Sequence, residues 1–146
     1  MIAELNDRQI ENILSSVLVG RIGCHSEGRT YVVPVAFAWH DGYIYAHSNE
    51  GLKVRMMRKN PSVCFQVDAI DSLANWRCVI MQGEFEELTT RELQLHAFNL
   101  LQERLSPFRT SDAAKPHSPP PGEKRRRPVF YRIRIVEKSG RYEKND

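Results

Sequence analysis

Short apolar, β-branched and aromatic runs follow one another along this chain, the last of them alternating with a period of two, and helical spacing replaces them in three places. Asn6-Asp7-Arg8-Gln9 has the form of a capping box, and Ile10, Ile13, Leu14 and Val17 follow on one helical face, which predicts a first helix over 7–16. Val17 to Cys24 reads as a strand whose glycines, Gly20 and Gly23, let another backbone approach closely. Tyr31-Val32-Val33-Pro34-Val35-Ala36-Phe37 and Tyr43-Ile44-Tyr45-Ala46-His47-Ser48 flank Asp41-Gly42. An Asp-Gly pair between apolar runs predicts a hairpin over 30–39 and 43–47, because a tight primed turn requires positive φ at its centre.

Leu52, Met56 and Met57 stand against Lys53, Arg55, Arg58 and Lys59, which predicts a short amphipathic helix over 51–59 that Asn60-Pro61 ends. Ser62 to Val67 is a β-branched and aromatic strand, 71–75 a loop, and Trp76 to Glu86 a strand interrupted at Gly83. Thr89-x-x-Glu92 has the form of a second capping box, followed by the stripe Leu93, Ala97, Leu100, Leu101 and Leu105. The final strand places Val129, Tyr131, Ile133 and Ile135 on one face and Phe130, Arg132, Arg134 and Val136 on the other. About six strands and three helices without strand–helix alternation point to a mainly β chain with flanking helices. Hairpin connections suggest a closed or nearly closed antiparallel barrel.

With 146 residues the chain suits one domain over 1–146. The stretch 107–128 holds six of the eight prolines and the run Lys124-Arg125-Arg126-Arg127, and is expected to be a long loop. A net charge of +3 is too mild to imply nucleic acid but permits an anionic small molecule. No apolar run is long enough to span a membrane, and Met1 to Asp7 lacks the regions of a signal peptide, so a cytoplasmic setting is expected. Cys24, Cys64 and Cys78 are odd in number and lack Cys-x-x-Cys spacing, which argues against a disulfide framework or a zinc site. The five histidines show no metal-ligand spacing.

Candidate chemistry gathers where the second hairpin strand meets the basic helix. Ser48 and Lys53 flank a helix start, whose first N–H groups lack internal partners and carry partial positive charge, an arrangement that suits phosphate. The plain alternative is that Ser48 or Asn49 caps the helix and Lys53 is solvated; on this segment alone it is the commoner case. His47 stands beside the cradle as a hydrogen-bonding or titrating group, or as a packed histidine. Pro34 belongs at an edge or bulge, where it either turns neighbouring backbone groups toward a planar ligand or protects an edge. Trp76 could wall an aromatic ligand and Arg77 could meet an anion or a partner subunit, against a core tryptophan and a surface arginine. Neither a nucleophile elbow, a glycine-rich dinucleotide fingerprint nor a P-loop is found.

Taken in order, Val19-Gly20-Arg21-Ile22-Gly23, Tyr31-Val32-Val33-Pro34-Val35, Tyr45-Ala46-His47-Ser48, Gly51-Leu52-Lys53, Asn60-Pro61 through Asp68, Trp76-Arg77-Cys78-Val79, Gly83 to Glu86 and Gly140-Arg141 resemble the FMN-binding split-barrel superfamily of pyridoxamine 5′-phosphate oxidase. The nearer likeness is to its branch of small nitroimidazole-resistance-type (nitroimidazole reductase) proteins. The resemblance implies a six-stranded antiparallel Greek-key split barrel, a homodimer, and FMN bound at the subunit interface. By position, Val33, Pro34 and Val35 would meet the flavin ring through backbone groups. His47, Ser48, Leu52 and Lys53 would serve the phosphate end, and Trp76, Arg77 and Cys78 would approach from a neighbouring strand or subunit. Leu52 stands where many relatives carry a basic residue, leaving Arg55 or Arg58 to compensate; Cys78 replaces a serine and Gln66 a glutamate. Gly140-Arg141 continues into Tyr142-Glu143 without the substrate-binding histidine of true pyridoxamine phosphate oxidases. The expected function is therefore an FMN-dependent oxidoreductase acting on a nitro-aromatic or similar small acceptor, with His47 as the best catalytic candidate. A non-enzymatic flavin carrier or sensor, or the same barrel holding haem or a deazaflavin, are the alternatives.

Overall fold

Asp41 and Gly42 both have positive φ, 51° and 84°, so the predicted primed turn forms. Glu27-Gly28, at 53° and 76°, makes a second one that the hydrophobic pattern did not announce. In the computed structural model, residues 1–108 and 128–145 are described. Along the chain they form β1 (Ile2–Glu4), α1 (Asp7–Ser16), β2 (Val19–Ser26), β3 (Arg29–Ala36), β4 (Ala38–His40), β5 (Tyr43–Ser48), α2 (Leu52–Lys59), β6 (Ser62–Ser72), β7 (Asn75–Glu87), α3 (Arg91–Leu105) and β8 (Val129–Lys144). Most of the expected loop and its basic run, residues 109–127, lie outside the described residues.

The strands pair antiparallel in the order β3-β2-β6-β7-β8-β5-β4, with β1 added on β8. β3 and β4 stand at opposite ends of this path, yet only Phe37 separates them in the chain. The sheet therefore curls round on itself, and β3–β4 acts as one bent strand in a six-stranded Greek-key barrel. The expected hairpin is shorter than its hydrophobic pattern suggested. Only Ala38–His40 pair with Tyr43–Tyr45, while the eight residues of β3 pair with β2 instead. The break comes at Phe37, which turns its ring fully into the interior, edge-on to Phe65 at 5.0 Å, and donates its N–H to the Leu18 carbonyl.

The interior is filled by Ile22, Phe65, Tyr131 and Ile133 from the strands, Ile13 and Leu14 from α1, and Val54 and Met57 from α2. α3 packs its Ala97 and Leu101 stripe outside, against Tyr45, Leu88 and Ala38. The Asn6–Gln9 capping box is formed in both directions. The second box is not: Thr90, rather than Thr89, is the N-cap of α3, its hydroxyl accepting the Leu93 N–H at 3.2 Å. Gly20 and Gly23 make room chiefly for side chains, the Phe65 ring and the Cys64 sulfur, rather than for backbone. β7 runs through Gly83 without interruption. The irregularity falls on β8, where Gln82 and Gly83 face Glu137 and Ile135 and Val136 bulges out. Cys24, Cys64 and Cys78 are all free thiols.

Candidate functional site

Alternation along β5 puts Ile44 and Ala46 into the core and His47 on the outer surface, its ring 5.7 Å from that of Phe130. Ser48 is half-buried at the strand's end, where the chain leaves toward α2. The capping alternative for this segment does not hold. Ser48 donates its hydroxyl to the Asn49 carbonyl at 3.1 Å, and the N-cap position belongs to Gly51, which has no side chain to offer. The helical ladder opens with Arg55 N–H on the Gly51 carbonyl at 3.2 Å, so the N–H groups of Leu52, Lys53 and Val54 precede it without a side-chain cap. Leu52 packs part of its side chain on the core, so its contribution here is a backbone donor.

Lys53 is half-buried, and burial lowers its pKa from the ordinary lysine value. Among the described residues it pairs with no carboxylate. Its charge acts on Cys24, whose thiol is pushed up first by burial and then by Cys64, with Lys53 opposing both. Tyr131 lies near Cys24, its hydroxyl buried with no hydrogen-bond partner among the described residues and its pKa raised by burial. Arg58, one of the two candidates to compensate for Leu52, is held by two carboxylates. Its guanidinium donates to both Glu50 oxygens at 2.7 and 3.0 Å and to Glu87 at 2.6 Å. Arg55 remains exposed beside a cleft of about 330 Å³ lined by Ser26, Arg29, Leu52 and Lys59.

β3 pairs with β2 along one edge and with no second described strand, so Pro34 does sit on an edge, opposite Arg21. Val35 is buried and Val33 half-buried; their side chains serve the core and leave backbone for any ligand. At the far side of the same sheet face, Cys78 accepts from Gln66 at 3.4 Å. Gln66 and Asp68 are joined to Arg21 at 3.3 and 3.2 Å. This Arg21–Gln66–Asp68–Cys78 chain starts at the residue that faces Pro34 in register and was not legible beforehand, because Arg21 lies 45 and 47 residues from Gln66 and Asp68. Trp76 is half-buried and donates to Glu143 at 3.2 Å, while Arg77 is exposed on the opposite side of β7.

The ten candidate residues thus fall into three groups. Ser48, Leu52 and Lys53 surround the start of α2, with His47 on the outer surface next to Ser48. Val33, Pro34 and Val35 lie on the β3 edge. Trp76, Arg77 and Cys78 lie on β7, three strand positions and so about 14 Å from β3. Within one protomer the third group is thus separated from the β3 edge by β2 and β6. The outer face of β3-β2-β6-β7 between them exposes Val19, Val32, Ile70 and Ile80 at 48%, 62%, 66% and 48%. Among the described residues no cluster of His, Cys, Asp and Glu suits a metal, and no helix is long and apolar enough to cross a membrane.

A family profile described as pyridoxamine 5′-phosphate oxidase matches residues 6–142. An FAD-binding protein of Mesorhizobium loti is 29% identical, with a TM-score of 0.75 over 99% of this chain and 98% of that one. A candidate 5-nitroimidazole antibiotic resistance protein of Bacteroides thetaiotaomicron is 19% identical, with a TM-score of 0.73 over 97% of this chain and 87% of that one, a likeness of fold. An uncharacterized protein of Rhizobium meliloti (strain 1021) is 25% identical over 104 residues, 68% of this chain and 69% of its own length.

Proposed function

Because the chain belongs to the pyridoxamine 5′-phosphate oxidase family, we propose that it binds a flavin, FMN, at the start of α2 and acts as an oxidoreductase on a small acceptor such as a nitro-aromatic. The observation that carries the reading is the helix start itself. Gly51 leaves the first donors of α2 without a side-chain cap, and the half-buried Lys53 beside them has no carboxylate partner among the described residues. A dianionic phosphate suits both deficits: it accepts the N–H groups along the favourable end of the helix dipole and restores solvation to the ammonium. The Ser48 hydroxyl, which donates to the Asn49 carbonyl in the structure, is assigned a further hydrogen bond to that phosphate.

A bound flavin supplies hydride and electron transfer, and the protein's part is binding, orientation and exclusion of water. Val33, Pro34 and Val35 offer an unpaired strand edge, whose carbonyl and N–H groups suit the polar rim of a planar ring system. Trp76, Arg77 and Cys78 reach that ring only if a second copy delivers them. We therefore propose a homodimer joined through the outer face of β3-β2-β6-β7, where Val19, Val32 and Ile80 are exposed around the Arg21–Asp68 pair. His47 is assigned to the cofactor's polar end, and pyridoxamine phosphate is not proposed as substrate. The Mesorhizobium loti relative favours a second reading, FAD in the same cradle.

The test is the visible absorbance of purified protein, with the released chromophore weighed after denaturation. Two flavin bands and the mass of FMN are expected; the mass of FAD selects the second reading. Colourless protein that also leaves added FMN fluorescence unquenched refutes both. Turnover of a reduced nicotinamide with a nitro-aromatic acceptor then separates the oxidoreductase from a flavin carrier.

A further inference from the structure

Glu50 presents a problem for any anion at the start of α2. It lies one residue before the N-cap Gly51, and a carboxylate there is within reach of the free N–H groups and favoured by the helix dipole. Left to itself it would occupy or repel from the place a phosphate needs. In the structure it does neither, because Arg58, two helical turns on, holds both its oxygens at 2.7 and 3.0 Å. Arg58 is in turn anchored to β7 through Glu87 at 2.6 Å. The fork-to-fork geometry of the Glu50 pair fixes direction as well as distance.

We propose that Arg58 is a positioning residue: it draws Glu50 away from the α2 N-terminus and neutralises it, and so keeps the cradle open for the cofactor's phosphate. The proposal rests on the phosphate cradle put forward above. It deepens that reading by naming a device for anion selectivity that touches no ligand. The hydrogen bond from Arg58 also lowers the Glu50 pKa, so the clamp favours the ionised carboxylate that it holds. Glu87 makes the device depend on β7, since it completes the Arg58 donor set and keeps the guanidinium beside Glu50.

The experiment measures FMN and riboflavin affinity of the full chain by quenching of flavin fluorescence, for wild type, Arg58→Gln, Glu50→Gln and the double variant. Thermal melts accompany each to establish folding. Arg58→Gln is expected to lose about tenfold in FMN affinity with riboflavin unchanged, the size of one released like charge near the phosphate. The double variant should recover to within about threefold of wild type, because removing the Glu50 charge removes the need for the clamp. Glu50→Gln alone should bind FMN as tightly as wild type or more so. If the double variant stays as weak as Arg58→Gln, Arg58 meets the phosphate directly or supports the fold, and the positioning role is overturned. Unchanged FMN affinity in a folded Arg58→Gln overturns it as well. A wild type that binds FMN and riboflavin equally refutes the cradle itself, and the clamp's proposed purpose falls with it.

Discussion

Replacing Lys53 by methionine separates two things that this side chain does at once. The substitution keeps an unbranched stem and removes a charge that is half-buried beside Cys24 and pairs with no described carboxylate. Burial lowers the pKa in the folded protein, so the unfolded chain holds the proton more tightly. Stability of the ligand-free protein should therefore rise with pH between the lowered folded value and the unfolded value near ~10.4. Below that window the full penalty is present, and Lys53→Met removes it. Solvent still reaches much of the group, so the gain is discounted to about 1 kcal/mol at most, or roughly 2–4 °C in Tm for a chain of this size. The difference from wild type should vanish in strongly alkaline buffer. Phosphate binding should move the other way. Opposite unit charges at contact are worth about 1 kcal/mol in water and about 4 kcal/mol near a protein surface, so FMN affinity should fall by a factor between roughly five and a thousand. Riboflavin, which lacks the phosphate, should lose less than about threefold on the same grounds. Melts of the ligand-free protein and fluorescence titrations with both ligands read the two effects separately. A ligand-free variant less stable than wild type, or equal losses for FMN and riboflavin, would refute the reasoning.

Gly83→Ala places a Cβ 2.6 Å from the Arg134 carbonyl oxygen and 2.7 Å from Ile133 Cγ2, so the β7–β8 backbone must part. A loss of about 2–4 kcal/mol by urea denaturation is expected, and a neutral result would contradict the packing described. Asn6→Ala removes one half of the capping box and should cost about 1 kcal/mol, read as a lower denaturation midpoint with unchanged m-value. Val32→Asp with Ile80→Asp should convert a species of twice 16.9 kDa into one of 16.9 kDa in light scattering, with the barrel's circular dichroism retained. A double variant that stays dimeric would place the subunit contact elsewhere.

What could be read from the chain in advance followed the range of the interaction. The Asn6–Gln9 box and the Asp41-Gly42 turn depend on neighbours within three residues, and both formed as expected. The α3 stripe also held, because its spacing is intrinsic to a helix. The choice between the neighbouring Thr89 and Thr90 as cap is a shift of one residue that the local motif does not resolve. β1 was missed because three residues carry no period, and its existence depends on pairing with Arg141–Glu143 at the other end of the chain. The break at Phe37 was hidden for a related reason: the run is continuously apolar, and only the Phe65 ring shows where it turns. In the candidate site, Pro34 declared its edge position through its missing N–H. The Arg21–Gln66–Asp68 chain and the Arg58–Glu87 pair join strands and helices distant in sequence, so no spacing announced them.

β8 is the last described strand, and it is also the one that joins β5, β7 and β1. Until it is synthesised, the nascent chain can hold β3-β2-β6-β7 and β4-β5 only as two separate sheets, each with an unsatisfied edge facing where β8 will lie. Barrel closure therefore waits on β8, and the loop-closure entropy of bringing the two sheets together falls on a single step. Chains stalled before Val129 would present the bare edge of β7 to one another, a template for strand-to-strand association. The same placement makes β8 the element whose detachment opens the whole ring, so slow amide exchange along Tyr131 and Ile133 would report global unfolding rather than local fraying.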